Sequence, residues 1–240
     1  MTAAKYLRVI VLVAAALAAL GGGCRKEKAA CTLRQAKEDS AAYVATSRRA
    51  AEDATDADRR RFGVVLLSDH SWGRREPYTA YYARLLGSNG DEPVRAAAAT
   101  ALGVSGDAKY LGNLAAAMTD RSSVVRQDTA AALGRLRGDA GLAALRRAAA
   151  EDSSDDVRSA VAASLGNYRQ PEAAGTLLRC MKDRAFAVRH AARAALVRLS
   201  GKDYGDDPAN WTDWANRSAA SGLAVRDGGG WDPFAWMKNR

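Results

Sequence analysis

Residues 122–134 read SSVVRQDTAAALG, and the same pattern recurs at 91–103 (DEPVRAAAATALG), 154–166 (SDDVRSAVAASLG) and 185–197 (AFAVRHAARAALV). The Val-Arg pairs Val94-Arg95, Val125-Arg126, Val157-Arg158 and Val188-Arg189 are 31, 32 and 31 residues apart. Four matches at near-constant spacing define an internal repeat, which has to be recognised before any local assignment. Within one unit, Val125, Thr129 or Ala130, Ala132 and Leu133 fall at helical spacing, with Gly134 expected to end the helix or begin its last turn. A second segment, 140–150, places Leu142, Leu145 and Ala149 on one apolar stripe. Each unit is therefore a pair of short helices with a face it cannot bury alone, and neighbouring units must stack to cover it.

The composition agrees. The apolar share is carried by alanine more than by large side chains, with 7% aromatic residues. Alanine is the best helix former and a poor strand former, so a core of small, closely packed residues favours helices.

These motifs resemble the HEAT-like repeats of the phycobilisome-lyase type over residues 91 to about 200. The resemblance implies an all-α fold, an α-solenoid of about four to five HEAT-like helix pairs. An acid precedes the arginine by six residues in three units: Asp120 and Arg126, Asp152 and Arg158, Asp183 and Arg189. In HEAT arrays such residues form a structural ladder between adjacent repeats, and charge-assisted hydrogen bonds across the turn would set the stacking angle. Upstream, residues 77–86 look like the second helix of a further repeat. Its first helix is expected near 57–70, where Phe62, Val64, Val65, Leu66 and Leu67 depart from the pattern as an N-terminal cap would. Downstream, Trp211 and Trp214 share one helical face and suggest a C-terminal cap whose indoles cover the last helix pair. Trp231, Pro233, Phe234 and Trp236 follow Asp227-Gly-Gly-Gly, either as a recognition tail or packed back on the cap.

The N-terminus carries a different signal. Lys5 and Arg8 precede a 12-residue apolar run at 9–20, then Gly21, Gly22, Gly23 and Cys24. The run is shorter than the roughly 20 residues that span a bilayer as a helix, and it has the order of a secretory signal peptide. The segment resembles the lipobox of bacterial lipoproteins, with Gly21 where that family usually has Leu. That resemblance implies lipidation at Cys24 and a protein anchored in the bacterial cell envelope, facing the periplasm or exterior. The expected organisation is a signal peptide at 1–23, a tether at 24–56, a solenoid at 57–203 and a Trp-rich cap and tail at 204–240. Removing 1–23 takes Lys5 and Arg8 away and lowers the formal charge from +9 to +7. Cys31 and Cys180 make no disulfide framework, and Cys180 has the spacing of a packed helical residue.

Little in the chain points to catalysis. His70 and His190 lack partners at metal-ligand spacing, and there is no HExxH, CxxC or pair of His-Glu dipeptides, so no metal or other cofactor is expected. Asp69-His70-Ser71 is read as a turn, since neighbours in sequence point apart and triads are assembled from distant segments. The expected function is a non-catalytic, membrane-tethered scaffold that holds a partner protein. In HEAT arrays the second helices line the concave surface. By that resemblance the candidate binding residues are Lys109, Tyr110 and Asn113, Arg146 and Arg147, and Thr176, Arg179 and Lys182. Their basic excess suggests a partner with an acidic surface, with a polyanion such as nucleic acid or an anionic cell-surface polymer as the alternative.

Overall fold

The computed structural model describes residues 41–53 and 55–220. The signal segment, Cys24 and Cys31 of the tether, and the tail with Trp231, Pro233, Phe234 and Trp236 lie outside these residues. The chain divides into two compact units, Met1–Arg49 and Ala50–Arg240. Of the first, residues 41–49 are described and are helical, part of a helix α1 whose described span is 41–51.

The second unit is built from helices throughout its described residues. In order these are α2 (Ala57–Asp69), α3 (Tyr78–Ser88), α4 (Glu92–Ser105), α5 (Leu111–Ala117), α6 (Ser123–Leu136), α7 (Asp139–Glu151), α8 (Asp155–Leu165), α9 (Pro171–Cys180), α10 (Phe186–Ser200) and α11 (Pro208–Ala220). Short 3-10 turns at Trp72–Arg74 and Ala108–Tyr110 precede α3 and α5. No described helix is long and apolar enough to cross a membrane.

Local chemistry sets the helix ends. Asp56 caps α2 by accepting from the Arg59 N–H at 2.9 Å, and Ser122 and Ser154 cap α6 and α8 by accepting from Val125 and Val157. Pro93 and Pro171 occupy the first turns of α4 and α9, where a missing N–H costs nothing. Gly106 and Gly201 end α4 and α10 with φ of 74° and 72°, the left-handed conformation that a side chain would resist.

Taken in chain order by the sequence repeat, the helices group as first and second members of five units: α2 and α3, α4 and α5, α6 and α7, α8 and α9, and α10 and α11. First helices stack in a row, α2 on α4, α4 on α6, α6 on α8 and α8 on α10, and second helices lie along the row in the same order. Val94, Val125, Val157 and Val188 occupy one repeated environment and are fully buried, as are Leu102, Leu133, Leu165 and Leu196 eight residues further on. One continuous core runs through all five pairs.

Glycines fix the spacing of the row. A Cβ on Gly103 would lie 2.7 Å from the Cα of Ala132, one on Gly134 would lie 2.8 Å from the Ser164 Cβ, and one on Gly166 would lie 3.0 Å from the Ala195 Cα. Each glycine stands nine residues after its repeat valine and receives the small residue seven after the next valine. Gly134 lies in the last turn of its helix, one of the two places the sequence allowed, because α6 continues to Leu136. Its role is close approach, which outweighs the propensity cost of a glycine inside a helix. The last first helix carries Val197 at this position, and no further described first helix presses on it.

Two more sequence expectations are refined. In α7 the buried stripe is Leu142, Leu145 and Ala148, while Ala149 is half-buried beside it. In α2, Val64 and Leu67 are buried, but Phe62 and Val65 are 56% and 40% exposed, so the apolar run does not all face the core. At the other end, Trp211 is fully buried, donates to the Gly205 carbonyl at 2.8 Å and meets Tyr204 and Trp214 edge-on. Its helix α11 packs on α9, making it the second helix of the fifth pair.

Candidate functional site

The arginines of the first helices build a ladder along the second unit. Arg95 reaches Asp120 through Nε and Nη2 at 2.8 and 2.9 Å, Arg126 reaches Asp152 at 2.7 and 2.9 Å, and Arg158 reaches Asp183 at 2.8 and 3.0 Å. These are bidentate ion pairs, the strongest arrangement available to a guanidinium and a carboxylate. The third nitrogen holds the arginine's own turn. Arg126 Nη1 donates to the Asp120 carbonyl, Arg158 Nη1 to that of Asp152 and Arg189 Nη1 to that of Asp183, each at 2.8 Å.

The side-chain pairing therefore differs from the six-residue, across-the-turn spacing read from the sequence. The acid six residues upstream offers its backbone carbonyl, while its side chain serves the preceding arginine. Arg95, absent from the expected ladder, is one of its central members, and aligning the Val-Arg pairs would have found it. Arg60 on α2 adds a looser rung to Asp91 at 3.4 Å. Arg189 completes its carbonyl contacts but takes no described carboxylate.

Electrostatics match the geometry. Burial works to raise the Asp152 carboxyl, but the bonds from Arg126 and the Ser154 N–H overcome it and hold the group below the usual range. Burial also opposes Arg95 and the Ser122 N–H at Asp120, with the same net lowering. For Asp183 the bond from Arg158 is itself the largest influence, again downward.

The candidate binding residues divide into two groups. Arg146, Arg147, Arg179, Lys182 and Asn113 are exposed, and Arg147 lines a cleft of about 340 Å³ with Met118, Asp120, Arg126, Glu151 and Asp152. Tyr110 and Thr176 are buried, at 5% and 2% exposure, and are corrected to structural residues. The Tyr110 hydroxyl donates to Glu76 at 2.5 Å, and Thr176 donates to the Glu172 carbonyl at 2.8 Å in its own helix. Periodicity alone did not show that both point inward. Lys109 is exposed but shares the same Glu76 oxygen at 2.9 Å, which holds that carboxyl low mainly through the Tyr110 and Lys109 bonds.

A second opening of about 450 Å³ is lined by Leu136, Arg137, Asn167, Tyr168, Arg169 and Gln170. Asn167 and Tyr168 donate to the carbonyls of Gly134 and Leu133, so they fasten α8 and its following turn to α6. No pattern in the sequence marked these two residues.

The remaining reactive side chains are placed apart from one another. His70 ends α2 and stacks on Trp72, with ring centroids 5.4 Å apart and 6° between planes. His190 is exposed beside Phe186 on α10. Cys180 is buried, and desolvation pushes its thiol up to about 11. Among the described residues, no group of three His, Cys, Asp or Glu side chains could hold a metal ion.

The profile of the HEAT repeats matches residues 82–166 and 148–208, together more than half of the chain. The chain belongs to the HEAT-repeat family. Nineteen chains of known structure resemble this HEAT array. One comes from the complex of CpcE and CpcF of phycocyanin lyase from Nostoc sp. PCC7120, with 18% sequence identity and a TM-score of 0.56. That match covers 66% of this chain and 65% of the other, so the HEAT array spans somewhat less than two thirds of its neighbour's length. The likeness is one of fold. No curated protein matches the HEAT array in sequence.

Proposed function

We propose that the protein is a membrane-tethered scaffold that holds a partner protein on the exposed basic positions of its second helices and performs no chemistry itself. The observation that carries this reading is a contrast between arginines. Arg95, Arg126 and Arg158 of the ladder are committed to carboxylates, whereas Arg146 and Arg147 on α7, Arg179 on α9 and Lys182 beyond it are exposed and make no ion pair to a described carboxylate. A rigid row that leaves such charges to solvent suits recognition of an acidic surface. The neighbouring fold occurs in a complex of two chains, which supports a protein partner in general. Tethering rests on the lipobox-like segment before Cys24, which would keep the array at the outer face of a membrane.

The test is site-specific photo-crosslinking from position 147 of the anchored protein in native membranes. A single recurrent protein adduct, lost in Arg146→Glu/Arg147→Glu and weakened by added salt, supports the scaffold. Retention on any polyanion regardless of its sequence, with no protein adduct, replaces the partner with a polyanion. Turnover of a small molecule by the purified array would end the non-catalytic reading. Separately, Cys24→Ser should move the protein from the membrane to the soluble fraction.

A further inference from the structure

Two positions mark the side of each first helix that meets the next one, five and nine residues after the repeat valine. The ninth carries the glycines Gly103, Gly134 and Gly166 that touch the following first helix, and the fifth lies one turn earlier on the same side. At the fifth position α4, α6 and α8 carry Ala99, Ala130 and Ala162, all fully buried in the stacked row. In α10 the fifth position is Arg193 and the ninth is Val197. A guanidinium cannot lie beneath a packed helix without partners, so this substitution changes what the face can accept.

Arg193 finds its partners in the loop that follows its own helix. Its Nε and Nη2 donate to the two carboxylate oxygens of Asp203 at 3.1 and 2.6 Å, and its Nη1 donates to Asp206 at 2.7 Å. The bond from Arg193 is the largest of the influences that hold the Asp203 carboxyl below its usual range. Arg193 stands eight residues before Gly201, about 12 Å back along the helix, so the loop folds back over α10 to reach it. Gly201 and Gly205, with φ of 72° and 85°, permit that reversal. The other side of the loop is fastened to α11, where Trp211 donates to the Gly205 carbonyl at 2.8 Å and Asn210 to the Tyr204 carbonyl at 3.2 Å. Val197 and Tyr204 are both half-buried against the core. The ion pairs themselves stay wet, with the side chains of Arg193, Asp203 and Asp206 exposed by 32%, 47% and 88%.

We infer that residues 201–207 form a strap over the outer face of α10, latched by Arg193, which ends the row and keeps a second copy of the chain from stacking there. The face is built to take a first helix of this same chain, since α4, α6 and α8 present it to α6, α8 and α10. A repeat row needs a polar outer face at its end to stay soluble. Strap and arginine supply that face in different ways. The strap lies where a further helix would pack, and the arginine makes packing costly because its charge would lose water and its carboxylates together. Exposed ion pairs are weak and screened by salt, so the latch opens more readily than the core behind it.

The experiment compares the full chain with two variants. Arg193→Ala restores the residue of the inner units, and Asp203→Asn/Asp206→Asn cuts the latch while leaving the arginine on the face. Trypsin cleavage after Lys202, followed by mass spectrometry, reads the strap, and light scattering of the chromatographed protein reads self-association. Both variants should be cleaved at Lys202 about three- to ten-fold faster than the unaltered chain, with a similar rise for the unaltered chain when salt is added. Only Arg193→Ala should form dimers or larger species. Cleavage at the unaltered rate in both variants, or an Arg193→Ala no more associated than the unaltered chain, overturns the inference. Should Arg193→Ala fail to fold, the double asparagine variant decides: faster cleavage without association supports the strap, and unchanged cleavage removes it.

Discussion

The Cα of Ala132 on α6 lies 2.7 Å from the point where a Cβ on Gly103 of α4 would sit. Backbone, not a flexible side chain, occupies that space, so the two first helices touch as closely as their main chains allow. The same contact recurs between Gly134 and Ser164 and between Gly166 and Ala195. Small residues thus replace bulk as the source of cohesion, through many close dispersion contacts over an alanine-lined interface.

Gly103→Ala should therefore destabilise the array even though alanine favours helix by about 1 kcal/mol over glycine. Overpacking costs about 1–3 kcal/mol, and here the obstructing atom is a Cα. Gly175→Ala in α9 meets nothing within 4 Å and should instead stabilise by about 0.4–1 kcal/mol. Urea midpoints that move in the same direction for both variants would contradict this account.

Arg126→Ala should cost about 2–3 kcal/mol, because it strips two charge-assisted bonds from Asp152, whose side chain is only 6% exposed. Calorimetry should show a clear loss of melting temperature. A change no larger than that of a surface substitution would mean that the ladder follows the stacking and does not help to set it.

Acid should loosen the array in a definite window. Asp120, Asp152 and Asp183 have carboxyls lowered in the folded state. Their contribution is complete above the ordinary carboxylate range, about pH 4, and is lost as pH falls through their lowered values. Melting temperature followed downward from pH 7 should fall most steeply below pH 4, and Asp152→Asn should flatten that fall.

Asp128 has the opposite sign. Burial raises its carboxyl despite a bond with Thr100, and the equivalent positions in the other repeats are Ala97, Ala160 and Ala191. Its charged form costs stability at neutral pH, a cost relieved as pH falls through its raised value. Asp128→Asn should raise the melting temperature at pH 7, with the gain shrinking as pH falls through the raised value and gone below about pH 4. A gain that persists unchanged in acid would rule out desolvation as the cause.

Cys180 should resist thiol reagents in the native state at pH 8. Burial both screens the sulfur and pushes its pKa up to about 11, so the thiolate is scarce as well as shielded. Full labelling should appear only with unfolding, and rapid labelling of the native protein would show that α9 opens locally.

What the sequence determined by itself was the repeat: a Val-Arg pair every 31 or 32 residues and an apolar period of 3.6 require helix pairs that stack. That reasoning is local, since burial of a helical stripe follows from which residues recur three or four apart. It also singled out Asp120, Asp152 and Asp183 with Arg126, Arg158 and Arg189. Only the tertiary structure decided which carboxylate meets which guanidinium, because partners 25 or 26 residues apart are joined by the path of an intervening helix, which spacing does not encode. The same holds for Tyr110 and Thr176, whose polar atoms turn inward to Glu76 and the Glu172 carbonyl, and for Gly134, where the neighbour's position explains the missing side chain. Periodicity tells which side of a helix is apolar, and it takes the neighbouring helix to fix what each remaining side chain touches.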